Sequence, residues 1–184
     1  MACARTACAR PESGSTGGGE HPGAPLLRMR VFNLRRLQVP SSTLHIPKGA
    51  GTSLKVLADQ IRVLAGAEHT GARYEVFELC GPQGSGPPPH SHPWDEAYFL
   101  LEGEVEVVIS AETRRANAGD FLLAPGGAVH SFRICSDVAR FLVLTSGAGA
   151  GAFFRAMDRE VGFPPPSFEE VCRVAIRQGL TLAA

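Results

Sequence analysis

The sequence predicts an all-β sandwich or barrel closed at its C-terminal end by short helices. Three observations support this. Between about residues 30 and 145, strand-sized apolar segments recur at intervals of about 8–12 residues, separated by turns containing Gly, Pro, Asn or Asp. Within "EVEVVIS", Val105 and Val107 alternate with Glu104 and Glu106, as a strand with one buried face requires. After about residue 148 the apolar spacing becomes helical.

The opening stretch, residues 1–28, is rich in Gly, Ala, Ser and Pro and holds almost no bulky apolar residue. It cannot bury enough surface to offset its ordering entropy, and a disordered tail is expected. It lacks the apolar stretch of a secretory signal, and Met29 is a candidate alternative start. The β domain is expected over residues 29–147, with strands in "SLKVLAD", "IRVLAG", "ARYEVFELC", "EAYFLLEG", "EVEVVIS", "DFLLAP", "HSFRI" and "RFLVLTS". A helical cap is expected over residues 148–184. Phe153, Phe154, Met157 and Val161 recur at helical spacing, and their first reading is packing. A second helix starts after three prolines, with Ser167 and Glu170 as a capping box and Gly179 as its stop.

Lys and Arg number 18, as do Asp and Glu, so no charge field points to nucleic acid. No apolar run reaches the roughly 18 residues of a membrane helix. Neither nucleic acid nor membrane is expected as a partner. The five cysteines, Cys3, Cys8, Cys80, Cys135 and Cys172, are odd in number and scattered. They read as free thiols in a reducing cytoplasm, the last three as small core residues.

The stretch "GSGPPPHSHPWDEAYFLLEG" carries the chemistry. His90 and His92 share a parity and therefore a strand face, and Glu96 joins them if the chain bends at Pro93. His130 opens a later strand after the tight "PGG" turn and adds a fourth donor from a separate element. Three imidazoles and a carboxylate suit a first-row transition metal and suit Mg or Ca poorly. Tyr98 and Leu100 share the parity of Glu96, and Phe132 that of His130. Phe121 and Leu123 face together, and core filling is their first reading. Trp94 and Asp95 read as a rim or loop residue and a surface or outer residue. Arg133 and Arg140 are expected in solvent or paired with acids such as Glu104. His21, His45 and His69 have no matching partners.

These stretches resemble the two motifs of the cupin superfamily. The first has a glycine, five residues, His-x-His, three or four residues, Glu, six residues and Gly. Gly84, His90, His92, Glu96 and Gly103 fit it. The second has a glycine, five residues, Pro-x-Gly, two residues and His, matched by Gly119, Pro125, Gly127 and His130. Its usual closing asparagine is Ile134 here, a departure that touches no metal ligand. Fifteen residues separate the motifs.

The resemblance implies a double-stranded β-helix, or jelly-roll, barrel. It also implies one divalent metal, Fe, Ni, Mn, Co or Zn, held by His90, His92, Glu96 and His130. Looser similarity, in the approach to the first motif and in the C-terminal exit, is to short cupins related to quercetin 2,3-dioxygenases. It implies a small hydroxylated aromatic or enolisable substrate, dioxygen as co-substrate, and catalytic roles for Glu96 as base and Tyr98 as hydrogen-bond donor. Two alternatives stay open: a non-oxidative isomerase, cyclase or decarboxylase, and a barrel that only binds a small molecule. The resemblance further implies a homodimer, for which "MRVFNLRRLQV" is a candidate segment.

Overall fold

The computed structural model describes residues 43–161 and 167–183. The tail expected over residues 1–28, the segment from Met29 to Val39 and the prolines at 164–166 lie outside these residues.

Eleven strands are seen among the described residues: β1 (Thr52–Val56), β2 (Asp59–Ala65), β3 (Tyr74–Pro82), β4 (His90–Ser91), β5 (Glu96–Glu102), β6 (Glu104–Ile109), β7 (Glu112–Asn117), β8 (Phe121–Ala124), β9 (His130–Ile134), β10 (Val138–Ser146) and β11 (Thr181–Leu182). They form two antiparallel sheets. One has the order β1-β2-β3-β10-β5-β8, the other β11-β4-β9-β6-β7. The expected barrel is therefore a two-sheet jelly roll that strand pairing does not close into a ring. A short helix α1 (Ala67–Thr70) follows β2. Helices α2 (Gly149–Glu160) and α3 (Phe168–Arg177) follow β10.

The core lies between the sheets. Phe77, Tyr98, Leu100 and Phe141 project from the larger sheet, and Val105, Val107, Phe132 and Ile134 from the smaller. Aromatic rings meet edge to face, Phe132 against Phe141 at 5.3 Å between centroids. Ile134, at the family's asparagine position, is a core residue. The capping box of α3 forms: Glu170 N donates to Ser167 Oγ at 3.3 Å, and Ser167 N to Glu170 Oε2 at 2.9 Å.

The four motif glycines, Gly84, Gly103, Gly119 and Gly127, all have positive φ, between 80° and 96°. Each stands at a turn that a β-carbon would strain. At Gly103 a β-carbon would also lie 2.4 Å from the Val138 carbonyl oxygen.

Three expectations need correction. Phe121 and Leu123 are 61% and 51% exposed, because β8 is the edge strand and its inward residues are Leu122 and Ala124. The cysteines Cys80, Cys135 and Cys172 are only half-buried. The smaller sheet gains an unexpected strand, β7, whose residues are mostly exposed. Arg133 pairs with Glu106, Arg140 with Glu78 and Glu102, and Glu104 with Arg115.

Helices α1 and α2 are both tied to β3 through one buried carboxyl. Glu75 on β3 is fully buried. It accepts a 2.9 Å bond from Gly151 N at the start of α2 and a 3.3 Å bond from Ala67 N at the start of α1. Truncation strands one buried and one half-buried amide donor. Glu75→Ala is expected to lower unfolding free energy by about 3 kcal/mol, and Glu75→Gln by less, because one acceptor survives. Urea unfolding monitored by circular dichroism checks both.

Candidate metal centre

Four elements bring the donors together. Loop residues 83–89 run along β9, with Gly84 N donating to Ile134 O at 2.9 Å and Ile134 N to Ser85 O at 3.0 Å. This sets the approach to β4, where His90 pairs directly across from His130 on β9. The chain then bends through Pro93 and Trp94 and re-enters as β5 at Glu96. One donor nitrogen from each of His90, His92 and His130 falls within 4.8 Å of the others. All three rings and Glu96 are buried.

The ring tautomers follow from backbone contacts. Nδ1 of His90 lies 2.9 Å from Pro88 O, Nδ1 of His92 2.9 Å from Trp94 O, and Nδ1 of His130 2.9 Å from Ala128 O. A carbonyl can only accept, so each Nδ1 carries the hydrogen. In the neutral ring each Nε2 then presents a bare lone pair inward. Nε2 of His130 is buried with no hydrogen-bond partner among the described residues.

Burial, then the neighbouring His130, lowers the pKa of His90 to about 4. Burial likewise lowers that of His130. Both rings are therefore neutral, and free to coordinate, at physiological pH. Oε2 of Glu96 meets Nε2 of His92 at 2.9 Å, a contact that needs one shared proton. Burial pushes the Glu96 carboxyl up, but His92 by hydrogen bond and charge, with help from His130 and Tyr98, brings it below its ordinary value. Three converging imidazole lone pairs beside a carboxylate fit a divalent transition metal, which would take the place of the shared proton.

The structure groups His90, His92 and His130, and Glu96 lies beside them through its contact with His92. Tyr98 lies one step inward from Glu96 on the same face of β5, among Phe132 and Phe141. Its hydroxyl faces Glu96 rather than the open cavity, and burial raises its pKa. Asp95 points away, accepting from Gly126 N at 2.9 Å. Trp94 departs from expectation. It is buried and stacks on His92 at 4.1 Å with an interplanar angle of 9°, because the bend at 93–94 breaks the alternation used to place it outside.

A cavity of about 280 Å³ opens against His90, His92 and Glu96. Its other walls are mainly apolar, with Ile61, Leu79, Phe132 and Val143 from the sheets. Phe153, Phe154 and Met157 from α2 and Ala175 from α3 complete it. The helical segment thus forms one wall of the site, and its phenylalanines line the cavity as well as pack. Phe154 meets Phe77 edge to face at 5.0 Å.

Two antiparallel sheets around a histidine-lined cavity define a jelly-roll protein with a candidate metal centre. Residues 77–145 match the cupin domain family and form a cupin domain. The chain is similar to the quercetin 2,3-dioxygenase of Bacillus subtilis, 28% identical over 135 residues. That match covers 72% of this chain but only 40% of the dioxygenase's length. Among solved structures, KdgF from Halomonas superposes with a TM-score of 0.52 at 20% identity, over 58% of this chain and 94% of its own. The polyketide cyclase RemF from Streptomyces resistomycificus gives 0.51 at 20% identity, over 57% and 80%. Both likenesses are likenesses of fold. No described helix is long and apolar enough to cross a membrane.

The lowered pKa of His90 makes acid stability a readout of the centre. Between pH 6.5 and about 4 the unfolded chain binds a proton there that the folded chain does not. Stability of the metal-free protein should therefore fall as pH drops through that window, with His90 contributing up to about 3 kcal/mol. The depressed carboxyl of Glu96 acts in the same direction at lower pH. Urea midpoints at pH 7 and pH 4.5 should differ accordingly, and His90→Gln should flatten the slope. Elemental analysis of the metal-loaded protein should find about one transition metal per chain, and close to none in His92→Ala.

Proposed function

We propose that this cupin is a metal-dependent enzyme acting on a small hydroxylated aromatic or enolisable substrate, as a dioxygenase of the quercetinase kind. The supporting observation is the juxtaposition in one cavity of His90, His92 and Glu96 with walls that are mainly apolar and rich in aromatic rings. A planar apolar molecule suits these walls, and its reacting oxygen suits the donor end. The similarity to a quercetin 2,3-dioxygenase over most of this chain supports the same class.

His90, His92 and His130 would hold the ion, with Glu96 beside them. Such an ion supplies Lewis acidity toward a substrate hydroxyl and, when redox-active, access to dioxygen chemistry. The remaining work falls to the protein. Glu96 accepts the proton of the substrate hydroxyl, leaving the enolate that is the electron-rich partner for oxidation. The hydroxyl of Tyr98 faces Glu96 and would orient that carboxyl without touching substrate. Trp94 holds the His92 ring by stacking and by its carbonyl. The apolar walls exclude water from the carbanion-like centre.

Oxygen uptake decides between chemistries. Protein loaded separately with Fe(II), Ni(II), Mn(II) or Co(II) is expected to consume dioxygen with quercetin or 3-hydroxyflavone in an oxygen electrode. Glu96→Gln should slow turnover by about 100-fold or more while the protein still folds. Substrate consumption without oxygen uptake would transfer the function to a non-oxidative isomerase or cyclase. No turnover with any of the four metals would leave a binding protein.

A further inference from the structure

A second polar group faces the same cavity and is used by nothing above. Asp59 opens β2 on the inward face shared with Ile61 and is 8% exposed. The pairing of Gln60 with Cys80 sets Asp59 beside Gly81 on β3. There the missing side chain makes room for the carboxyl. A β-carbon at Gly81 would lie 2.1 Å from Asp59 Oδ1 and 2.7 Å from Ser85 Oγ. Asp59 and Ser85 both line the cavity that holds His90 and Glu96. Asp59 Oδ1 and Ser85 Oγ are buried, and neither closes a hydrogen bond of normal geometry with a described residue.

The sheet register puts this pair far from the metal ligands. The row through Glu96 crosses β10 at Thr145 and β3 at Glu75, while Gly81 pairs with Ala139 near the opposite end of both strands. The cavity therefore has two polar ends and an apolar middle.

We infer that Asp59, with Ser85, forms a hydroxyl-binding subsite that anchors the end of the substrate remote from its reacting oxygen; which end reacts rests on the proposed function. A neutral alcohol or phenol suits the site. It donates to the carboxyl and accepts from the serine hydroxyl, completing both. Burial raises the pKa of Asp59 while Ser85 partly offsets the rise, so the carboxyl's charge is disfavoured here. An ammonium would need that charge kept in an apolar wall. An elongated molecule with hydroxyls at both ends is the substrate class this implies.

Calorimetry of metal-free protein with two probe pairs tests the subsite. The pairs are 2-naphthol against naphthalene, and 4′-hydroxylated 3-hydroxyflavone against 3-hydroxyflavone itself. Wild type should prefer 2-naphthol by about tenfold. Asp59→Leu should erase that preference by weakening only the hydroxylated probe. Asp59→Asn, which keeps an acceptor, should retain much of it. The melting temperature of Asp59→Leu should be equal or higher, since a buried carboxyl oxygen without a partner has been removed. A preference absent from wild type or retained in Asp59→Leu would overturn the subsite, as would a sharp drop in melting temperature. If the naphthol preference behaves as expected but the flavonols do not bind, the subsite stands and the flavonol reading falls.

Discussion

Three hydrogen bonds from imidazole Nδ1–H groups to backbone carbonyls determine what the rest of this fold can do. Each joins a histidine to a residue two positions away, so ring orientation is fixed by local chain geometry. With Nδ1 occupied, the free lone pair of every neutral ring is Nε2, and the three are turned toward one point. Lone pairs crowded together without a cation repel, and burial denies them water. The loop running along β9 and the bend at Pro93 and Trp94 bring about this crowding. So does the direct pairing of His90 with His130.

The second constraint is the attachment of α2, the first of the two C-terminal helices. One carboxyl, Glu75, accepts from the first turns of α1 and α2. Gly151 has to be glycine for this, since a β-carbon would lie 2.3 Å from Glu75 Oε1. The tie holds Phe153, Phe154 and Met157 over the mouth between the sheets and makes a cavity of what would be an open groove. Helix anchoring and cavity shape are therefore one feature. A change at Glu75 would be felt by the ligand as well as by stability.

The histidine cluster with its neighbouring carboxylate could be read from the sequence because metal chemistry restricts residue type and strand geometry restricts spacing. His90, His92, Glu96 and His130 carry both signals. Strands with one buried face were equally visible in their alternation. Strand β7 was not, because "ETRRAN" is mostly exposed and hydrophilic. The hairpin leading into it turns on Ser110 and Ala111, both at positive φ, where the usual signal is Asn-Gly. Trp94 escaped because parity holds only in extended chain. Asp59 escaped for another reason. Its partner space is created by Gly81, more than twenty residues away, and no local pattern reports a gap between two strands.

The buried polar atoms that lack a partner among the described residues show where this fold gives up stability. They are Asp59 Oδ1, Ser85 Oγ, Trp94 Nε1, Tyr98 Oη, His130 Nε2 and Thr145 Oγ1. Asp59, Ser85 and Trp94 line the same cavity, and His130 adjoins it beside its cross-strand partner His90. Tyr98 and Thr145 adjoin Glu96, one along β5 and one across from it on β10. Each such group costs about 1–3 kcal/mol relative to a satisfied one. Packing alone would favour apolar residues at all six positions, as it has at Ile134, where the family's asparagine gives way to a core side chain. Three of the six belong to residues lining one mainly apolar cavity, and polar groups kept there against that cost are what the proposed polar-ended ligand would need.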